Sequence, residues 1–533
     1  MRVVSKEEME RIDRETISEF GIPGLILMEN AGIAMSVKSL EIYPELKTGK
    51  VSVGVLVGPG NNGGDGLVMA RWYFINGIEV RVYLFGDRGK FKGDPLVNLN
   101  IADKLCVPMT EIKDIEEWKS VRERVMRHGV LVDALFGTGL NGEVRGFFRE
   151  LIEDLNSMVT GIRRADKNML RVLSVDVPSG LLCVEDKQNK SIVRADDTIT
   201  VALPKLGMVD YPGLSCVGRR HEVQIGFPES LLAHERLKRH LICSETGAKL
   251  MPSRPKDSHK GTFGHLLVIG GSRQYAGAAV LASHSALKSG CGLVSLASVA
   301  SVCQTMRMHL PEVICVELPE EEDGTISDKA FNILEPELSR YEGIVMGPGL
   351  GNNPLTGKLM ASVLAKYQGK LLIDADGLNF LAENKDMLKM AKSSVIVTPH
   401  IKEMSRLVQK TVQDVKNNKI AFSRDFSKAH NVILVLKDAV TLISEPQGHS
   451  FYNTTGNEGM ATGGSGDVLA GLVGGLMVNR LGVLESSVLG VYIHGLAGDH
   501  AKRGLHSASL TATDIINHIY IAFNSLSAGE NHV

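Results

Sequence analysis

The cysteines of this chain do not pair in any recognisable pattern. There are seven (Cys106, Cys183, Cys216, Cys243, Cys291, Cys303 and Cys315), an odd number with no Cys-x-x-Cys spacing. That excludes a zinc framework and a disulfide scaffold, and predicts reduced thiols. Aromatic residues make up only 5% of the chain, too few for a base-stacking platform. Neither sign of charge dominates: 59 basic residues stand against 61 acidic ones. A polyanion-binding surface is therefore not expected, and nucleic acid is excluded as a partner. No apolar run is long enough to cross a bilayer. The first ten residues, Met1-Arg-Val-Val-Ser-Lys-Glu-Glu-Met-Glu10, are charged where a signal peptide carries its apolar stretch. The expectation is a cytoplasmic protein with no membrane partner. Low-complexity tracts and short repeats are also missing.

What is present is length, a globular balance of residues and much glycine. A chain of 533 residues with 44% apolar and 23% charged content predicts two to four domains. Its 56 glycines suit many tight strand-to-helix turns and ligand loops. Apolar runs of buried-strand type alternate with helical patterns in both halves, which predicts α/β domains with largely parallel sheets. In the first half the strands are expected at 51–57, 80–85, 130–136, 171–177 and 198–203. A capped helix is expected from Ser5, with Glu8 completing a capping box. In the second half strands are expected at 265–269, 293–297, 313–318, 343–346, 371–374, 395–398 and 432–436. The charged stretch between them sets the expected boundaries: a first domain over 1–228, a linker over 229–244 and a second domain over 245–526.

Ligands of doubly wound sheets bind beyond the carboxyl ends of the strands. Three polar clusters fall there in the first half. Gly58-Pro-Gly-Asn-Asn-Gly-Gly-Asp-Gly66 follows one strand, Asp133 with Gly137-Thr-Gly139 marks a second, and Asp176-Val-Pro-Ser-Gly180 closes a third. Each taken alone is an ordinary turn. Together they predict oxygen ligands gathered at one rim, for a hard cation or a polar substrate. The first stretch is read neither as a Walker loop, which needs Gly-Lys-Ser/Thr, nor as a dinucleotide fingerprint.

The second half carries Gly459-Met-Ala-Thr-Gly-Gly-Ser-Gly-Asp467, followed by an apolar run over 468–478. Small residues ahead of a helix leave its first amides free to receive phosphate. Asp467 has two readings: a helix cap, or a base that takes the proton of a hydroxyl about to be phosphorylated.

The first-half motifs closely resemble the NAD(P)H-hydrate epimerase domain over roughly the first 225 residues. The resemblance implies a potassium ion held by Asn62, Asp133 and Ser179. It also implies a hydrate site lined by Asn61, Asn62, Gly63, Gly64, Asp65, Gly137, Thr138, Gly139, Leu140, Asn141, Gly142, Glu143 and Asp176. Asp176 is the candidate acid/base.

In the second half, His259-Lys-Gly-Thr-Phe-Gly264, Gly270-Gly-Ser272, Gly347-Pro-Gly-Leu-Gly351, Asp374-Ala-Asp376, Thr398-Pro-His-Ile-Lys-Glu403 and Asn457 through Asp467 stand in family order. They resemble the ribokinase-like ADP- or ATP-dependent NAD(P)H-hydrate dehydratases. That implies hydrate contacts at Gly277, Gly349, His400 and Asp467. It places the nucleotide on Lys437, Asp438, Ala439, Val440, Thr441, Gly464, Ser465 and Gly466. Magnesium is expected as a cofactor, with Glu403 acting through water. Many related kinases have Asn where this chain has His400, so His400 is assigned to the substrate side, with a structural role as the alternative. The fused arrangement resembles the prokaryotic one, which implies ADP as donor and hydrated NADH and NADPH as substrates. A homo-oligomer is expected from the same resemblance. The competing class is a vitamin or sugar kinase with an N-terminal binding module.

Overall fold

The computed structural model describes residues 1–165 and 170–527. The chain divides into two compact units, Arg2–Lys238 and Arg239 onward. The stretch expected as a linker is shared between them. Leu231, Leu232 and Leu237 are buried in the core of the first unit. Arg239–Leu241 is a strand of the second unit, paired in parallel with Ser450–Asn453. Apolar residues spaced among the charges give this stretch a place in a core and in a sheet, where a reading by composition expected a linker. No helix among the described residues is long and apolar enough to cross a membrane.

The first unit is built on seven parallel strands: β1 (Val53–Val57), β2 (Val80–Phe85), β3 (Met109–Ile112), β4 (Val130–Ala134), β5 (Arg171–Val175), β6 (Asp197–Val201) and β7 (Arg219–Val223). Their spatial order is β3-β2-β1-β4-β5-β6-β7, so the direction of winding reverses between β1 and β4. Successive residues of a strand face opposite sides. Val55 and Val57 enter one apolar cluster while Leu56 enters the other, and both sheet faces are covered. The strands β3 and β7 escaped the sequence reading because both are edges. Arg219-Arg-His-Glu-Val223 carries its charges where an edge strand meets solvent.

Three helices shape the cavity of this unit: α1 (Lys6–Ser18), α2 (Gly24–Ile42) and α3 (Asn61–Ile75). The capping box at Ser5 and Glu8 is present as expected. Helix α3 starts at Asn61 and absorbs the glycine stretch that was expected as a turn. Those glycines serve close packing. A Cβ at Gly63 would lie 1.8 Å from the Gly58 carbonyl oxygen, and one at Gly66 would lie 2.6 Å from the Ala134 Cβ. The helix is thereby drawn against the ends of β1 and β4.

The second unit carries ten further strands: β8 (Arg239–Leu241), β9 (His265–Ile269), β10 (Leu293–Val299), β11 (Ile314–Leu318), β12 (Gly343–Met346), β13 (Lys370–Ile373), β14 (Ser394–Val397), β15 (Ile433–Leu436), β16 (Thr441–Ser444) and β17 (Ser450–Asn453). They lie in the order β8-β17-β16-β15-β14-β13-β12-β9-β10-β11, and only the pairings of β16 with its two neighbours are antiparallel. Helix α4 (Ala276–Lys288), helix α5 (Ile401–Val408), helix α6 (Ser465–Val478) and helix α7 (Val483–Gly504) position the site. Helix α6 is apolar on all sides and is buried accordingly. Its glycines admit neighbours closely: a Cβ at Gly471 would meet the Ala282 carbonyl oxygen of α4 at 1.9 Å.

Candidate active sites

The parallel strands β1, β4, β5 and β6 are neighbours, so the segments after them share one rim. A cavity of about 610 Å³ opens there, at the reversal of winding. It is lined by Asn61, Asn62, Asp65, Gly137 through Asn141 and Asp176, together with residues the sequence reading did not single out: Glu10, Asp13, Asp94 and Lys205. Gly142 and Glu143 follow the lining loop without being part of the cavity wall. Gly58, Gly60 and Gly63 do carry Gly-x-Gly-x-x-Gly spacing between a strand and a helix. This corrects the reading of the stretch as lacking that spacing.

Asp133 is fully buried at the end of β4. Its carboxylate accepts from the Ser174 hydroxyl at 2.9 Å, the Ser179 amide at 2.8 Å and the Ser179 hydroxyl at 2.5 Å. Burial raises its pKa, and these bonds oppose the rise. The Asn62 amide donates to the Phe136 carbonyl at 3.0 Å, and the Phe136 amide donates to the Ser179 hydroxyl at 2.8 Å. Asn62, Asp133 and Ser179 thus meet around Phe136.

Asp176 sits in the left-handed region, with φ of 61°. Its Oδ1 accepts from Lys205 Nζ at 2.5 Å, the Thr200 hydroxyl at 3.1 Å and the Val201 amide at 3.0 Å. Lys205 is fully buried, and its ammonium also reaches Thr200 Oγ1 and the Val201 carbonyl. Among the other carboxyls that line this cavity, the side chains of Asp65 and Asp13 have neither a hydrogen bond nor an ion pair among the described residues. Asp65 is pushed well above its ordinary range by burial, then by Asp176 and Asp13. Asp13 is pushed up to about 6 by burial, then by Asp176. The signal that was available for Asp13 was an acid between Met9 and Ile17 on one helical stripe. For Lys205 it was a cation just past a buried strand.

In the second unit the adjacent parallel strands β12, β13, β14 and β15 end in Gly347–Gly351, Asp374–Asp376, Thr398–His400 and Lys437. A cavity of about 820 Å³ is lined by Gly349, Asp376 and Asp467, with Ser272, Tyr275 and Asp323. The turn before α6 holds Gly464 at φ of 89°, a conformation that suits glycine. Upstream, the Gly456 amide and the Asn457 side chain bond to Asp499 of α7 at 2.9 Å each, which anchors the motif to a buried helix. Lys437 Nζ bonds to Asp374 at 2.6 Å. A Cβ on Gly466 would come within 3.4 Å of that nitrogen, so the anion turn and the lysine face one another. Burial works against the charge of Lys437, but Asp374, Glu403 and Asp467 outweigh it and hold its pKa above the ordinary value.

The Asp467 carboxyl makes no hydrogen bond among the described residues. Burial and the nearby Asp374 push its pKa up to about 7, against the pull of Lys437. Asp467 does not act as the helix cap, because the cap position is taken by Gly464. His400 does cap a helix: its Nδ1 receives the Glu403 amide at 3.0 Å, while Glu403 Oε2 receives the His400 amide at 2.7 Å. The structural role of His400 is therefore real, and Nε2 is the ring nitrogen left for a ligand. Burial, then Lys437, lowers its pKa, so the ring is held neutral. Glu403 is raised by burial, with one oxygen already engaged.

Gly277 is the second residue of α4 and has free space around it, one residue from the cavity wall at Ala278. Of the expected nucleotide segment, Asp438 is paired with Lys419 at 3.2 Å and Val440 is buried. Ala439 is exposed, and Thr441 begins β16. Ser465 is buried at the first turn of α6.

The packing of α3 carries a test. Gly63→Ala is expected to displace Asn62 and Asp65 and to slow chemistry in the first cavity by about 100-fold or more, since ångström misplacement costs that much. Turnover in the second unit should be unaffected. An alanine variant with both activities intact would show that the glycine contact is dispensable.

Two families match the chain in the order the motifs stand. The family described as YjeF-related protein N-terminus matches residues 24–207, and that described as NAD(P)H-hydrate dehydratase matches residues 266–520. The bifunctional NAD(P)H-hydrate repair enzyme Nnr of Moorella thermoacetica is 34% identical over 526 residues, covering 99% of this chain and 97% of its own. That of Thermofilum pendens is 36% identical over 531 residues, with the same coverage of 99% and 97%. Among solved structures, the ADP/ATP-dependent NAD(P)H-hydrate dehydratase from Bacillus subtilis, co-crystallized with ATP/Mg2+, is 24% identical with a TM-score of 0.48, covering 54% of this chain and 98% of that one. Full-length likeness to the fused repair enzymes displaces the vitamin- or sugar-kinase reading, and the chain belongs to the family of bifunctional NAD(P)H-hydrate repair enzymes.

Proposed function

We propose that the first unit interconverts the R and S hydrates of NADH and NADPH, and that the second dehydrates the S hydrate with ADP as phosphoryl donor. AMP and phosphate are the by-products. The observation that carries the reading is Asp467, an unpaired carboxyl near neutrality at the mouth of a glycine-built anion turn. Such a base takes the C6 hydroxyl proton as the oxygen attacks the terminal phosphoryl of ADP. The amides of Gly464 to Asp467 and the Lys437 ammonium balance the charge of the group in flight. Phosphate then leaves from C6 and a proton leaves from C5, which restores the dihydronicotinamide ring.

In the first unit, Asp176 is assigned the proton transfer at C6. The oxygens of Asn62, Asp133 and Ser179 make a hard donor set that fits a potassium ion, because the Asn62 amide nitrogen is spent on Phe136 and its oxygen is left over. That ion would supply a fixed positive charge beside the substrate. Magnesium fits the second unit as an ion carried by the phosphates. Asp374 is already paired with Lys437, and Asp376 accepts from the Gly351 amide, so waters mediate any contact from Glu403.

The test is to incubate the full chain with NADH hydrate and magnesium, adding ADP or ATP. Regained NADH absorbance with ADP is the expected result. No regain with either nucleotide overturns the dehydratase reading, and regain with ATP alone overturns the choice of donor.

A further inference from the structure

We propose that Asp13, on helix α1, is a second catalytic residue of the first cavity, exchanging a proton with the substrate on one side of the ring while Asp176 does so on the other. This rests on the epimerase reading of that cavity. It concerns a helix that lies ahead of the matched family segment, which begins at residue 24.

Helix α1 is a fixed wall of the site. Its first turn is closed by the box of Ser5 and Glu8. Lys6 Nζ then bonds to the Gly139 carbonyl at 3.1 Å and to Asn141 Oδ1 at 2.5 Å, tying the helix to the loop that lines the cavity. Met9, Glu10, Asp13 and Ile17 face the cavity from this helix. A carboxyl set between Met9 and Ile17, with no hydrogen bond or ion pair among the described residues, costs stability unless a ligand uses it.

The chemistry needs such a group. Inversion at C6 requires the hydroxyl to depart from one face and water to arrive at the other. Asp176 receives three donors on its Oδ1, which fix that oxygen in place and leave Oδ2 as the one that can take a proton. A separate acid must protonate the departing hydroxyl. Asp13, poised at about 6, can hold a proton or release it near neutral pH.

In the forward step the Asp13 acid gives its proton to the hydroxyl. The C6–O bond breaks, water departs with the bonding pair, and the ring nitrogen lone pair closes an N1=C6 double bond. Water adds to C6 from the opposite face, that double bond returns its electrons to nitrogen, and the released proton goes to Asp176. The two carboxyls have then exchanged protonation states and stand ready for the reverse conversion. No oxidant, reductant or further reactant is needed. The charged groups around Asp13 are Lys6 and Glu10 on its own helix, Asp65 on α3, Asp94, and the pair of Asp176 and Lys205.

The test follows the equilibration of chirally resolved NADH hydrates by the full chain. In Asp13→Asn, kcat is expected to fall by about 100-fold or more, with KM changed by less than about threefold. Asp13→Glu should recover about tenfold of that loss. The wild-type kcat/KM profile should show a limb near pH 6 that is missing from Asp13→Asn. An Asn variant within about threefold of wild-type kcat, or a loss confined to KM, overturns the proposal. Should the Asn variant not fold, a wild-type profile without the limb near pH 6 overturns it equally. A wild-type chain that fails to speed equilibration removes the epimerase reading itself, a result the Asn variant alone cannot produce.

Discussion

Asp467→Asn should leave the chain folded, leave hydrate epimerisation at the wild-type rate, and slow ADP-driven dehydration by about 10²–10⁴-fold, the usual contribution of a placed general base. Asparagine keeps the shape and loses the basic oxygen. The pH profile gives a second reading of the same group. A base with its pKa at about 7 is active above that value, so kcat/KM for dehydration should fall tenfold per pH unit below it. Stability moves the other way. The folded chain binds this proton more tightly than the unfolded one, so the group's stabilising effect, full at low pH, is lost as pH rises through about 7. Asp467→Asn removes that loss. Its ligand-free melting temperature should exceed that of wild type at pH 8 and show no such gain at pH 4. Equal dehydration by the variant and the wild type would take Asp467 out of the mechanism.

Lys205→Met should destabilise the first unit by about 3–5 kcal/mol, the cost of breaking a buried pair from one side. The side chains of Lys205 and Asp176 are 1% and 15% exposed, so solvent does little to replace the lost partner. Methionine fills the volume but leaves the Val201 carbonyl, Thr200 and Asp176 without the ammonium. Lys205 also holds down the pKa of Asp13 and Asp65, so its loss should silence epimerisation while the second unit still dehydrates the S hydrate. Adding Asp176→Asn should recover part of the stability and none of the activity. Calorimetry on the single and double variants decides this. A single variant that melts with the wild type would mean the pair does not hold this unit together.

The two sites were not equally visible in the sequence. Gly58 to Asp65, Asp133, Asp176 and Gly464 to Asp467 stand out because each interrupts an apolar strand or precedes an apolar helix, where a strand-end ligand must lie. Asp13 and Lys205 look ordinary in one dimension. One sits in a charged amphipathic helix and the other follows a proline. Only the folded unit shows that Asp13 faces a cavity and that Lys205 is fully buried beside Asp176. His400 shows the opposite case: the motif pointed to a ligand, and the structure first gives its Nδ1 a capping bond.

By itself the sequence determined the alternation of strands and helices, the two-part organisation and the glycine–acid turns. These depend on the order of apolar, small and charged residues over a few positions. The tertiary structure alone decided which strand ends became neighbours, where the expected linker was buried, and which carboxyls were left without partners. Those outcomes depend on burial and on charges far apart in the chain, as with Asp13, whose proton affinity is raised by burial and by Asp176 and lowered by Lys205.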